Sequence, residues 1–347
     1  MVASTLTTSG ETPVKLYRSG DAPAGALDGE SIAVIGYGNM GRSAALNLRD
    51  SGVKVRVGNR DDAYAARARA DGFEVVSIAI AAGDDIVFVL LPDEVIPDVF
   101  SRDVAGALRP GSAVAFGSGY SLAFGLVRPP QTVDVLLMAP RMAGAATRTR
   151  YLAGQGFWGC IGVEADRSGR AHRRMLGLAD ALGALRPAAI EMTASTEAAL
   201  DLFVEQTIGP LLGMALITAF EVGREGGIPA EALVMEMYMS GEMETVFEGF
   251  RTVGFLRSSE DHGPTAIFGG FTRAVEIDRE DMAARFRRVL EDIASGAFAQ
   301  RFQAEARDGY SMLSAAQSFL GGTSAITDAE ARLRRAANLP DPPAERT

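Results

Sequence analysis

The chain has 347 residues, 47% of them hydrophobic and 22% charged, the composition of a folded globular protein with room for two domains and their cores. A formal net charge of −10 excludes nucleic acid as a general partner, and any anionic cofactor has to be held by local features. The single cysteine, Cys160, excludes an intrachain disulfide, no uninterrupted apolar stretch approaches the ~20 residues of a membrane span, and the start lacks a basic-then-apolar signal pattern, so the expectation is a cytoplasmic protein without a membrane partner.

Residues 1–28 are rich in Ser, Thr, Gly and Pro and read as a flexible N-terminal segment. Strands and helices then alternate. Ile32 to Ile35 is a short apolar strand that leads into Gly36-Tyr37-Gly38-Asn39-Met40-Gly41 and a helix from about Met40 to Ser51. This is a G-x-G-x-x-G pattern in the setting that dinucleotide binding requires, with a strand before it, a helix after it and a second strand at Val53 to Val57. Gly36 permits the tight turn, Gly38 lets the backbone approach a pyrophosphate, and Gly41 lets the helix pack on the sheet. The N–H groups at the helix start face the phosphate charge. A glycine-rich turn without a ligand is the poorer match to this context.

A helix over Ala63 to Ala70, a short strand near Glu74-Val75-Val76 and a helix around Ile78 to Ala81 follow. Ile86 to Leu91 is a continuous apolar run, as expected of a strand buried on both faces, and a βα loop begins at Leu91-Pro92. Ala113 to Phe116 and Val133 to Met138 are two further strands. The repetition predicts a doubly wound parallel sheet, an α/β domain over residues 29–190. Beyond Ala188 strand signals nearly vanish. Helices are predicted at Glu197 to Leu212, Met214 to Glu225, Ala230 to Phe250, Arg279 to Ser295, Phe298 to Tyr310 and Asp328 to Ala337, with Pro229 placed where a helix would start. The domain boundary is therefore set near Glu191, with an all-α domain over 191–338 and a flexible tail over 339–347.

Several stretches, in order, are specific enough to name a family: Gly36-Tyr37-Gly38, then Ala45-Leu46-Asn47-Leu48-Arg49-Asp50-Ser51-Gly52, then Leu90-Leu91-Pro92-Asp93-Glu94-Val95. Phe124-Gly125-Leu126 with Pro129-Pro130, and Asp201-Leu202-Phe203 with Glu205-Gln206, continue the series. On these residues the chain resembles ketol-acid reductoisomerase of the short, single-helical-domain class, from about Val14 to about Arg335. The resemblance implies an N-terminal Rossmann domain, a knotted helical C-terminal domain, an active site between them, and a homodimer in which one subunit lends helical residues to the other's site. It also implies a two-step chemistry on a small-molecule substrate: two magnesium ions drive an alkyl shift in an acetohydroxy acid, and NADPH then reduces the keto group. The implied metal ligands are four carboxylates, paired at i and i+4 on two helices. That spacing puts both members of a pair on one face, and magnesium takes oxygen ligands. Gly36, Tyr37, Gly38, Asn39, Met40 and Gly41, with Leu91 and Pro92, are the candidate cofactor loops.

The sequence departs from that pattern where chemistry is expected. Asp201 and Glu205 make the first carboxylate pair, but the second keeps only Glu236, because the position four residues on is Ser240. Glu242 and Glu244 are offset from it, and the segment is about a turn shorter than the family's. Ser118, in Phe116-Gly117-Ser118-Gly119-Tyr120, takes the place of a family histidine, and Arg141, in Ala139-Pro140-Arg141, takes that of an active-site lysine. Arginine stays protonated and does not donate a proton as lysine does. The serine-rich substrate loop is loosely echoed by Arg257-Ser258-Ser259-Glu260-Asp261-His262. Magnesium on Asp201, Glu205 and Glu236 alone has a low charge count, whereas hydride transfer needs only a nicotinamide held over an electrophilic carbon. The reading favoured is an NAD(P)H-dependent reductase of C=N or C=O groups that has lost isomerisation, with Asp201, Glu205, Glu236, Arg141 and Ser118 as its catalytic set. A cationic imine would suit those carboxylates. A magnesium-dependent reductoisomerase and a non-catalytic nucleotide-binding protein stay open beside it.

After the second strand comes Gly58-Asn59-Arg60-Asp61-Asp62-Ala63. Arg60 matches a position at the adenosine end, and Asp61 and Asp62 would accept ribose hydroxyls and repel a 2′-phosphate, which favours NADH over NADPH. The alternative is that both aspartates cap the next helix. Cys160 lies in an apolar run and reads as a buried inert thiol, His172 as a solvated helix residue, and His262 as a loop residue for which substrate contact is the lesser alternative. Met235, Met237, Met239 and Met243 read as adaptable core or interface.

Overall fold

The computed structural model describes residues 4–6, 14–258, 262–321 and 324–340, in two compact units that divide after Asp201. In the first unit the strands are β1 Ser4–Leu6, β2 Val14–Tyr17, β3 Ile32–Ile35, β4 Val55–Gly58, β5 Glu74–Val76, β6 Ile86–Val89, β7 Ala113–Phe116, β8 Asp134–Pro140, β9 Gly159–Ala165 and β10 Ala189–Glu191. Between them run α1 Asn39–Asp50, α2 Ala63–Ala70, α3 Ile78–Ala81, α4 Ile96–Val99, α5 Tyr120–Ala123, α6 Gly144–Leu152 and α7 Ala171–Leu182.

One ten-stranded sheet has the order β1-β2-β10-β9-β8-β7-β6-β3-β4-β5. The six strands β5-β4-β3-β6-β7-β8 are parallel, and strand order reverses between β3 and β6, the crevice where doubly wound folds take their ligands. Both faces of the central strands β3, β6 and β7 are covered, which is why these three read as unbroken apolar runs. Ile32 and Val34 pack into one layer with Leu46, Leu48, Met175 and Leu178, whereas Ala33 and Ile35 pack into the other with Ala81, Ile96 and Phe100.

The expectation of an all-parallel sheet is corrected at one edge. β9 runs antiparallel to β8, with a register shift at Val135/Leu136, and β2 runs antiparallel to β10. Nothing in a short apolar run fixes its direction, which depends on the connection and the neighbour. β2 also falls within the stretch expected to be flexible. It is pinned by Tyr17, whose hydroxyl donates to Glu191 Oε2 at 2.7 Å and lies 2.9 Å from His172 Nε2, so His172 is exposed on its helix but not without a partner.

The second unit is helical, as expected. It holds α9 Ala230–Val234, α10 Glu242–Thr252, α11 Pro264–Ala274, α12 Arg279–Ala294, α13 Ala297–Arg307, α14 Ser311–Gly321 and α15 Ser324–Ala336. α8, Ala194–Glu225, starts in the first unit and runs through Pro210 as one helix where two were expected. The units divide later than Glu191 because the first turns of α8 are bonded to the sheet unit, as described below. α8 is long and apolar enough to cross a membrane by length and composition, although it is not an uninterrupted apolar stretch of the kind the sequence reading looked for. Polar residues interrupt the run in sequence without lowering its average. Phe220, Val234 and Ala329 form a small core on which Met237 and Met239 pack, whereas Met235 of the same cluster is exposed.

Candidate active site

β3, β6, β7 and β8 all end on the same edge of the parallel sheet, so Gly36, Leu91-Pro92, Ser118 and Arg141 are brought to one edge by topology alone. The glycine loop divides its labour. Gly36 has φ +91°, and a Cβ there would stand 2.7 Å from the Leu90 carbonyl oxygen and 2.8 Å from the Leu91 side chain. A Cβ on Gly41 would overlap the Gly36 carbonyl. Gly38, by contrast, has nothing within 4 Å of its Cβ position. The first two glycines are needed by the fold, and Gly38 leaves an open approach at the start of α1. The helix's own bonding begins with Arg42 N–H to Gly38 O at 2.9 Å, so the amides of Asn39, Met40 and Gly41 stand ahead of it, at the end where the helix dipole favours an anion.

Tyr37 packs beneath the glycine loop. Its ring is buried against Phe73, its N–H donates to Asn59 Oδ1 at 3.1 Å, and its hydroxyl donates to Asp71 Oδ2 at 2.9 Å. Burial and the Asp71 carboxylate push the phenol up. Tyr37 therefore braces the loop from beneath. Asn59, which the sequence reading passed over, links the loop to the adenosine end by also donating to Arg60 O and Asp62 Oδ1. The two aspartates there separate. Asp62 caps α2, accepting from Tyr64 N–H at 2.9 Å and Ala65 N–H at 3.1 Å, and takes the Arg60 guanidinium at 2.8 Å. Asp61 is 87% exposed and pairs only at 3.1 Å with Arg69 on the surface, so the capping alternative holds for Asp62 and not for Asp61.

The acidic part of the site is built by the first turns of α8. Its start is fixed twice: Glu164 Oε1 accepts Ala194 N–H at 2.6 Å, and Thr193 Oγ1 accepts Thr196 N–H at 3.1 Å. Glu197, fully buried, then accepts Gly119 N–H at 2.6 Å on Oε2 and Arg141 Nη2 on Oε1. Arg141 Nη1 reaches Asp201 Oδ1 at 2.6 Å. Burial pushes the Glu197 carboxyl up, against the pull of the Arg141 charge and the Gly119 amide. A Cβ on Gly119 would overlap the Ala194 carbonyl and crowd Glu197, so only glycine lets this loop close on the helix. Ser118 Oγ accepts Tyr120 N–H at 3.1 Å and opens the short helix α5. The sequence reading missed Glu197, although its place four residues before Asp201 was the available signal.

In the second unit, Glu205 is exposed on α8, four residues after Asp201. Glu236 is exposed on a wide π turn, Met235–Met239, closed by Ser240 N–H to Met235 O at 2.9 Å. His262 is exposed, and Ser259, Glu260 and Asp261 lie outside the described residues.

Residues 26–188 match the model of the acetohydroxy acid isomeroreductase NADPH-binding domain, and residues 195–338 match that of the ketol-acid reductoisomerase C-terminal domain. The chain belongs to the ketol-acid reductoisomerase family. It is 37% identical over 306 residues to a ketol-acid reductoisomerase (NADP(+)) of Caldivirga maquilingensis, covering 86% of this chain and 92% of that one. It is 37% identical over 300 residues to that of Methanopyrus kandleri, covering 85% and 90%. A solved NADH-preferring ketol-acid reductoisomerase from an uncultured archean superposes with a TM-score of 0.87 at 30% identity, covering 92% of this chain and 98% of that one. The protein is accordingly an NAD(P)H-dependent oxidoreductase of ketol-acid reductoisomerase type. Ser118 and Arg141 lie on the sheet edge that carries the glycine loop.

Proposed function

We propose that this ketol-acid reductoisomerase homologue is a reductase that transfers hydride from NADH to a C=O or C=N group and has lost the isomerisation step. The observation that carries the reading is Ser240. Glu236 has no carboxylate four residues on, and the π turn there leaves one acid where a pair is needed. Two magnesium ions want several hard oxygen donors each. Asp201 is already neutralised by Arg141. The residues present do not fit a two-magnesium centre. The dinucleotide half has everything it needs. The amides of Asn39, Met40 and Gly41 would take the pyrophosphate, and Asp61 would accept ribose hydroxyls while opposing a 2′-phosphate. NADH would supply the hydride, and the acids Asp201, Glu205 and Glu236 would balance the positive charge of an imine. The NADH preference of the archaeal relative supports the same cofactor. The large exposed apolar side chains of the helical unit, among them Phe247, Phe255, Phe268 and Phe319, support a homodimer in which a second copy covers them.

A second reading, a working reductoisomerase, is favoured by the names of the Caldivirga and Methanopyrus relatives. One assay separates the two: NADH and NADPH oxidation with 2-acetolactate and with 2-ketopantoate-like hydroxy-keto acids, each with magnesium and with chelator. Magnesium-dependent acetolactate turnover selects the second reading. Tight cofactor binding without acetolactate turnover, followed by turnover on a panel of cyclic imines or keto acids, selects the first.

A further inference from the structure

We infer that Arg141 is the resident cation of the acidic site and that its guanidinium keeps divalent cations off Asp201. Glu197 is fully enclosed, and a buried carboxylate has to be protonated or matched by a positive charge. Arg141 supplies that charge from the end of β8. One terminal nitrogen bonds Glu197 and the other bonds Asp201 at 2.6 Å, so the guanidinium bridges two acids one helical turn apart. The bridge is held from behind by backbone. Glu197's second oxygen takes the Gly119 amide at 2.6 Å, and Gly119 itself is closed against the Ala194 carbonyl. Arg141 Nε is buried without a partner among the described residues, the mark of a side chain placed for its two terminal nitrogens. Guanidinium is charged at every working pH and cannot step aside by losing a proton, as an ammonium can. A divalent ion on Asp201 would meet this fixed charge at close range in a partly enclosed site, where like charges repel strongly. Glu197 in this arrangement is a positioning residue, with both oxygens spent on aiming Arg141.

The inference deepens the reductase reading and rests on it only for the reaction to be assayed, because its test reads metal binding. The full-length protein with NADH bound is titrated with Mn2+, and free Mn2+ is followed by electron paramagnetic resonance. The wild type is expected to show no site tighter than millimolar. R141M should create one at least tenfold tighter, and the R141M/D201N pair should lose it. R141M leaves Glu197 buried and unmatched, so R141M/E197Q, which removes both charges, is made alongside and should gain the same Mn2+ site if R141M does not fold. Micromolar Mn2+ on the wild type that D201N abolishes overturns the inference, and so does an unchanged affinity in the arginine-free proteins. Magnesium-dependent acetolactate turnover without Mn2+ at Asp201 overturns the reductase reading and leaves this one standing.

Discussion

Gly38 and Gly41 lie three residues apart in one loop, yet alanine at the two positions should fail in different ways. Gly38 has φ −70° and ψ −164°, extended backbone open to alanine, and its Cβ position is empty to 4 Å. Replacing glycine at such a compatible site stabilises by about 0.4–1 kcal/mol through the unfolded chain. At about 2–4 °C per kcal/mol for a domain of this size, G38A should melt at or a few degrees above the wild type. The added methyl projects into the space a pyrophosphate needs. Losing one charge-assisted hydrogen bond costs about 1.5–3 kcal/mol, so NADH should bind about 10- to 150-fold more weakly. Gly41 is the reverse case. Its methyl would overlap the Gly36 carbonyl, and overpacking of that kind costs about 1–3 kcal/mol. G41A should lose several degrees of melting temperature as well as affinity. Differential scanning fluorimetry and titration of NADH fluorescence read the two effects separately. G38A that binds NADH as well as the wild type would refute the placement of the pyrophosphate.

Three further outcomes follow from single side chains. D61S removes the exposed carboxylate and frees Arg69, so the ratio of kcat/KM for NADPH to that for NADH should rise several-fold. D62A, which removes a helix cap, should lower the melting temperature, whereas D61S, which removes no cap, should not. Asp134 is fully enclosed. Burial pushes its carboxyl up, but the Ser168 hydroxyl and amide, the Arg167 amide and Arg174 outweigh burial and hold it below the ordinary value. Its contribution is therefore complete above the unfolded value of about 3.9 and is lost as pH falls through the lower folded value. D134N should cost about 3 kcal/mol near neutrality, and melting scans below about pH 4 should show a shallower acid limb than the wild type. Burial pushes the Cys160 thiol up to about 11, so a thiol reagent at mildly alkaline pH should label nothing in the native protein and one group after denaturation.

The parallel core was legible because its central strands, β3, β6 and β7, are apolar on both faces, and the turn after β3 carries its glycines and the loop after β6 its proline. The far edge of the sheet was not. β10 is three residues long, and β9 carries Gly159, Cys160 and Gly162, which signal no strand by themselves; both are fixed by neighbours far away in sequence. In the helical unit, Gly269-Gly270 hid α11, and Gly213 split α8 in the sequence reading, although the folded helix runs through. These are cases in which tertiary packing outweighs local propensity, and no window of residues contains the packing.

The site shows the same limit at the scale of single groups. Asp61 and Asp62 are identical and adjacent, and either could cap a helix or meet a ribose. The chain separates them only once α2 turns away from β4, leaving Asp62 over the open amides and Asp61 outside. Arg141 in place of lysine looks like a change that keeps the charge. Its meaning depends on Glu197 and Asp201, 56 and 60 residues away, standing one turn apart on a helix whose start is pinned by Glu164. A lysine ends in one nitrogen, whereas a planar guanidinium can bridge two fixed carboxylates with separate nitrogens. The substitution therefore changes which cations the site can hold more than it changes the site's charge, a difference that sequence similarity to the family does not reveal.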